Sequence, residues 1–112
     1  MIEAILIDYL EDELNVPVFV MMPDTIPQGN FIVLDRIGMT KTNHITSYTV
    51  AVQSYGSTAL SAATLNESVI EAMERLLADD RFARIHLNNG NMSTDTARKL
   101  NRYQSTFEIV ML

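Results

Sequence analysis

The chain has 112 residues, of which 47% are hydrophobic and 20% charged, and it contains no cysteine. Such a composition is typical of one globular domain, here residues 1–112, and argues against an intrinsically disordered chain. The lack of cysteine excludes disulfides, thiolate zinc sites and thiol catalysis. The formal net charge of −6 argues against nucleic acid as the main partner, and no apolar run is long enough for a membrane-spanning helix.

The first predicted element is an amphipathic helix over about 2–14. Apolar residues from Ile2 to Leu10 recur at helical spacing, and acidic residues occupy the complementary positions. Proline disfavours a helical residue before it, so the helix ends before Pro17. Three carboxylates at 11–13 lie in the last turn, where the helix macrodipole disfavours negative charge. They are either a solvated helix end or part of a surface that another molecule contacts.

Three predicted strands follow, over about 18–22, 31–37 and 45–55. The strand that begins at Phe31 shows no apolar–polar alternation over its first four residues, so we expect both of its faces to be covered. The third strand alternates and places Tyr48, Val50 and Val52 on one face. The connection at 38–44 is either an exposed hairpin loop or an extension of the two strands.

The second half of the chain predicts a helix over about 58–78 and strands over 85–87 and 103–111. The helix carries a long apolar stripe, which makes it the principal packing element. The sequence Asn-Asn-Gly-Asn at 88–91 predicts a turn. The residues expected to form the core between this helix and the sheet are Val50, Val52, Val69, Met73, Leu76, Phe107 and Ile109.

Together these elements predict a single α+β domain with the order α-β-β-β-α-β-β. We expect a mostly antiparallel sheet of four or five strands with two helices packed on it. The four glycines are isolated, and the two histidines, His44 and His86, begin no metal-ligand spacing. We therefore expect no enzyme activity, no catalytic residues, no cofactor and no metal.

Charge is divided unevenly along the chain. Residues 1–56 carry seven acidic and two basic side chains, a net charge of −5. Residues 81–102 carry five basic side chains and one acidic side chain, a net charge of +4. This division indicates either complementary surfaces that meet between subunits or a salt-bridge network within one subunit.

Methionine side chains add a second indication of an interaction surface. The chain has seven methionines, a residue that adapts to irregular contacts. We expect Met73 and Met111 in the core. The predicted subunit or partner interface combines exposed methionines with charged residues of both signs, namely Asp8, Glu11, Asp12, Met21, Met22, Met39, Lys41, Arg98, Lys99 and Arg102.

Three features of the chain resemble the small tail terminator, tail completion and head–tail joining proteins of long-tailed bacteriophages and prophages. The first is the opening helix, Ile2 to Leu14, followed directly by Val16-Pro17-Val18. The second is the strand ending in Val50-Ala51-Val52-Gln53-Ser54-Tyr55-Gly56, which leads into the helix from Ala59 to Leu77. The third is the charged segment from Asp95 to Arg102, followed by a last strand from Tyr103.

The resemblance implies a structural role. Proteins of this family form rings, usually hexameric, at the head-proximal end of the tail tube, where they stop tube growth and join the tail to the head. The implied partners are further copies of the same chain, the tail-tube protein and the head-side connector, and DNA crosses the ring's lumen without specific binding. The implied location is the bacterial cytoplasm during assembly and then the virion tail or neck. The alternative that the residues leave open is a small ligand-binding or regulatory α+β domain.

Overall fold

The computed structural model describes residues 2–92 and 100–112, and its architecture is the predicted α+β fold. Two helices, α1 (Ile2–Leu14) and α2 (Ala59–Leu76), pack on one face of a five-stranded sheet. The strands are β1 (Val18–Phe19), β2 (Phe31–Thr42), β3 (Ile45–Gly56), β4 (Phe82–Met92) and β5 (Asn101–Met111). Their spatial order is β1-β2-β3-β5-β4. β1 pairs parallel with β2, and every other neighbouring pair is antiparallel.

The main core lies between the two helices and the sheet. α1 contributes Ile2, Leu6 and Leu10, which are fully buried. Met111 is only partly buried and packs against the core from its rim. The seven residues predicted for the core are all buried here, as expected from their periodicity, and they are Val50, Val52, Val69, Met73, Leu76, Phe107 and Ile109.

A second, smaller apolar cluster lies on the opposite face of the sheet. Phe31 stacks on Tyr55 with ring centroids 4.6 Å apart, and Phe19 meets Phe31 edge-on at 6.2 Å. Val33 is buried in the same cluster. The expectation that both faces of residues 31–34 are covered is therefore confirmed, because Ile32 and Leu34 belong to the main core.

α2 is held at its start by a reciprocal cap and at its middle by a buried hydrogen bond. The hydroxyl of Thr58 accepts from the backbone N–H of Ser61 at 3.0 Å, and the Ser61 hydroxyl accepts from the Thr58 N–H at 3.1 Å. Farther along, the buried Ser105 hydroxyl donates to Asn66 Oδ1 at 2.6 Å, which joins α2 to β5. The helix ends at Leu76, slightly earlier than predicted.

The predicted lengths of β4 and β1 are wrong. The predicted turn at 88–91 lies inside β4, which runs from Phe82 to Met92 rather than over 85–87 alone. The cause is a tertiary contact. β5 continues to pair with β4 beyond Leu87, as in the pair Asn91↔Gln104, and these pairs outweigh the local preference for a turn. A register shift between Leu87 and Asn89 accommodates the irregular backbone there. β1 is only two residues long instead of five, since it pairs with β2 at Ile32 and Val33 alone.

The connection at 38–44 is an extension of the two strands. β2 and β3 pair as far as Thr42↔Ile45, which leaves a two-residue turn at Asn43 and His44. Both turn residues have positive φ, 51° and 66°, as in the type I′ turns that fit the twist of a hairpin. β2 is consequently twelve residues long, and its second half reaches well past β1.

Candidate interaction surfaces

The residues predicted for an interface do not form one patch. In the described part of the chain they lie on three surfaces, which we call the α1–α2 cleft, the open-face groove and the β2 edge. Glu11 lies on none of the three and has a contact within the chain. Arg98 and Lys99 lie outside the described residues.

The α1–α2 cleft is an acidic depression between α1 and the end of α2, with a volume of about 570 Å³. Asp8 and Asp12 line it from α1, and Asp79 and Arg81 line it from the segment after α2. The hydroxyl of Tyr9 donates to the backbone carbonyl of Ala72 and so ties the two helices together. Three carboxylates face one guanidinium here, so the cleft carries net negative charge. Among residues 2–92 and 100–112, no cluster of three or more histidine or carboxylate side chains is arranged to hold a metal ion.

A local ion pair lowers the pKa of one carboxyl in this cleft, that of Asp79. Arg81 donates to both carboxylate oxygens of Asp79, with Nη2 2.7 Å from Oδ2, and these hydrogen bonds lower the pKa of Asp79 to about 2. The folded pKa lies below the ordinary value of 3.8, so the stabilisation is complete above about pH 3.8 and is lost as the pH falls toward 2. We expect NMR titration to place the Asp79 midpoint near 2 and Arg81→Gln to return it toward 3.8. An unchanged midpoint in that variant would show that the ion pair does not form in solution.

Contacts within the chain explain two of the three carboxylates at the end of α1. Glu11 Oε2 accepts a hydrogen bond from the backbone N–H of Val18 at 3.1 Å, which fixes the entry to β1. Glu13 Oε2 lies 3.3 Å from Arg75 Nη2 on α2. These contacts favour a structural role for both glutamates, whereas Asp12 remains in the cleft.

The open-face groove brings Arg102 together with the adjacent residues Met21 and Met22, which are far from it in sequence. Met21, Met22 and Arg102 line it with Tyr55, and its volume is about 240 Å³. Met21 is 76% exposed, whereas Met22 packs against the second apolar cluster. Arg102 Nη1 donates to the Tyr55 hydroxyl at 3.4 Å. The groove therefore has an apolar wall of methionines beside a cationic group.

The β2 edge comprises residues Ile37–Thr42, the part of β2 that extends beyond β1. Within the described chain residues 38–42 pair with β3 on one side only, and Ile37 lies at a register shift between Arg36 and Gly38. Met39 and Lys41 were predicted for an interface and lie on this edge. Ile37, which is 59% exposed, was not among the residues predicted for an interface, because the predicted strand ended there. Its spacing of two residues from Met39 is nevertheless the pattern of a continuing strand.

β4 forms the opposite edge of the sheet, here called the β4 edge. Arg84 and His86 are exposed on it, and Leu87 is an exposed apolar side chain at 38%. The sequence predicted only a brief strand in this region. The full length of the β4 edge follows from the pairing of β4 with β5.

No helix in the described part of the chain has the length and apolar character needed to cross a membrane.

Comparison with known proteins finds no family model that matches this chain, and no curated protein matches it either.

Proposed function

We propose that this protein is a structural subunit of a bacteriophage or prophage tail. In this role it forms a ring at the head-proximal end of the tail tube, stops tube growth and joins the tail to the head. The observation that carries the proposal is the uneven division of charge over the molecule. α1 carries five acidic side chains and no basic one, whereas β4 carries Arg84 and no acidic side chain.

Two surfaces of unlike charge on one molecule, the acidic helix α1 and the basic strand β4, favour head-to-tail association. When one surface of a subunit binds a different surface of the next, the contacts close into a ring if the rotation between subunits permits. Complementary charge fixes the register of such a contact more than it adds affinity. Exposed ion pairs contribute only about 0–1 kcal/mol each, so apolar burial has to supply most of the association energy. Ile37 and Met39, both more than half exposed, are available for that burial.

The overall charge also suits a channel for DNA. With a net charge of −6, a ring of these subunits has a negative field, which repels the phosphate backbone and prevents adhesion in the lumen. DNA then passes without specific binding. The partners in this proposal are further copies of the chain, the tail-tube protein and the head-side connector.

The alternative, a ligand-binding or regulatory domain, has less support from the cavities. Small-molecule sites are mostly apolar and typically enclose about 300–1,000 Å³. The open-face groove is smaller, at about 240 Å³, and the larger α1–α2 cleft is lined by three carboxylates. Both are open to solvent, so neither offers the enclosure that such a ligand needs.

The proposal predicts association that depends on protein concentration and salt. We expect sedimentation velocity to show oligomers at high concentration or on added tail tubes, and negative-stain electron microscopy to show closed rings. Because exposed charges are screened over about 10 Å at 0.1 M salt, association should weaken as salt rises above that level. A protein that stays monomeric with and without tail tubes, and that a small molecule stabilises against melting, would contradict the proposal.

A further inference from the structure

The α1–α2 cleft carries two carboxylates that have no ion partner in the described chain. The salt bridges among residues 2–92 and 100–112 use Glu3, Glu13 and Asp79. Asp8 and Asp12 line the cleft and take part in none of these pairs. They are four residues apart on one helix, a spacing at which like charges destabilise each other. A positively charged group placed beside them would offset this repulsion.

The cleft combines these carboxylates with apolar surface. Ala4, Ile5 and Leu76 also line it, and its volume is about 570 Å³. Arginine and lysine side chains suit such a lining, because their aliphatic stems pack on apolar surface while their charged ends stay at its margin. The cleft is therefore better matched to a basic stretch of polypeptide than to a small cation.

The chain itself contains a segment of matching charge. Residues 93–99, here called the β4–β5 segment, connect Met92 to Leu100. The segment includes Arg98-Lys99, which is the one pair of adjacent basic residues in the sequence, and a single acidic residue. Its net charge is thus +1, whereas the cleft, with three aspartates and one arginine, has a net charge of −2.

The β4–β5 segment cannot fill the cleft of its own molecule. β4 begins directly after Arg81, which lines the cleft, and ends at Met92, where the segment begins. The eleven residues of β4 span about 33 Å, in a molecule whose longest dimension is 43 Å. A seven-residue connection that is anchored at both ends reaches at most about 14 Å from its anchors. A β4–β5 segment that fills the cleft therefore has to belong to a second copy.

We propose that the β4–β5 segment of one copy docks in the α1–α2 cleft of a second copy, with Arg98 and Lys99 beside Asp8 and Asp12. This inference rests on the proposed function in taking the same chain as partner, and it deepens that function by naming the subunit contact. Each copy offers its segment to one neighbour and its cleft to the other. Such a head-to-tail contact closes into a ring when the rotation between subunits permits.

Charge reversal on the segment tests the contact. The segment variant, Arg98→Glu with Lys99→Glu, brings like charges together in the proposed contact. We expect sedimentation velocity to show association at least about tenfold weaker than that of the native chain, because like charges placed in contact cost more than a tenfold change in affinity.

Reversal of the cleft as well should restore association. The swapped variant adds Asp8→Lys and Asp12→Lys to the segment variant, so opposite charges meet again with their signs exchanged. Both aspartates are exposed, so their replacement should leave the fold intact. The four changes cancel in charge and keep the net charge at −6. We expect the swapped variant to associate as the native chain does.

A matched control separates the contact from net charge. The control variant combines the segment variant with Glu67→Lys and Glu71→Lys, two exposed carboxylates four residues apart on α2 that do not line the cleft. Its net charge is also −6. We expect it to associate as weakly as the segment variant, and melting curves of all variants verify that the fold is intact. Equal association of the control and swapped variants would overturn the contact, since net charge would then account for the rescue.

The remaining outcomes distinguish this inference from the proposed function. Rings formed by the segment variant as readily as by the native chain overturn the contact and leave the ring. A swapped variant that regains association as open chains supports the contact and contradicts the ring. Loss of binding to tail tubes on reversal of the cleft alone, with normal binding by the segment variant, assigns the cleft to a basic segment of the tail-tube protein and overturns docking of a second copy. A native chain that does not associate with or without tail tubes overturns both proposals.

Discussion

Met73→Ala is expected to lower the free energy of unfolding by about 2–5 kcal/mol. Met73 lies in the centre of the apolar face of α2 and has 0% exposed surface. It packs in the cluster that contains Val50, Val52 and Phe107, so removing its side chain leaves a cavity as well as losing buried apolar area. Urea denaturation followed by circular dichroism measures the difference.

The matched control is Met21→Ala. Met21 is 76% exposed, so the same truncation should change the free energy of unfolding by no more than about 0.5 kcal/mol. If both variants lose similar stability, or if Met73→Ala loses almost none, then α2 does not pack on the sheet through the face described above.

Gly56→Ala is expected to destabilise the fold by about 2–4 kcal/mol through steric conflict and loss of the helix cap. Gly56 is buried where β3 passes into α2. A Cβ atom placed there would lie 2.6 Å from the backbone nitrogen of Ala62 and would overlap the Ser61 hydroxyl. Since Ser61 forms the reciprocal cap with Thr58, the first turn of α2 has to shift or give up that cap. Thermal melting of the variant measures the loss.

Gly38→Ala provides the comparison at a glycine with room around it. A Cβ atom at Gly38 would be 3.9 Å from the nearest side-chain atoms of Thr49, an ordinary contact distance. We expect its stability to change by less than about 1 kcal/mol, and an alanine there even reduces the conformational freedom of the unfolded chain. If the Gly56→Ala variant is as stable as the Gly38→Ala variant, then Gly56 lies farther from the first turn of α2 than the distances above indicate.

Local periodicity predicted most of the fold because it reports which side chains are buried. The apolar stripe of α2 and the alternation of β5 each selected the correct face, and the core residues Met73, Phe107 and Ile109 follow from those patterns alone. The unbroken apolar run at 31–34 likewise predicted a strand covered on both faces. In each case the information lies within one element, where the spacing of side chains is set by the local backbone geometry.

The candidate surfaces were predicted only in part, since an interaction surface is assembled from distant segments. Composition and charge selected Met21, Met22 and Arg102, and the structure places them in one groove. The same reasoning grouped Glu11 with them, yet its carboxylate is used inside the chain by the Val18 N–H. A sequence pattern cannot distinguish these cases, because the partner of a polar side chain is fixed by three-dimensional proximity.

The sequence by itself determined the class of fold, the order of its elements, the main core and the uneven division of charge. Tertiary structure alone decided how far β2 and β4 extend and which strands lie at the edges. β4 overrides a strong local turn signal at 88–91 because β5 supplies backbone partners along its length. β5 lies between β3 and β4, so β1 and β4 form opposite edges of one sheet. Strand order depends on contacts between residues far apart in the chain, and no local pattern encodes it.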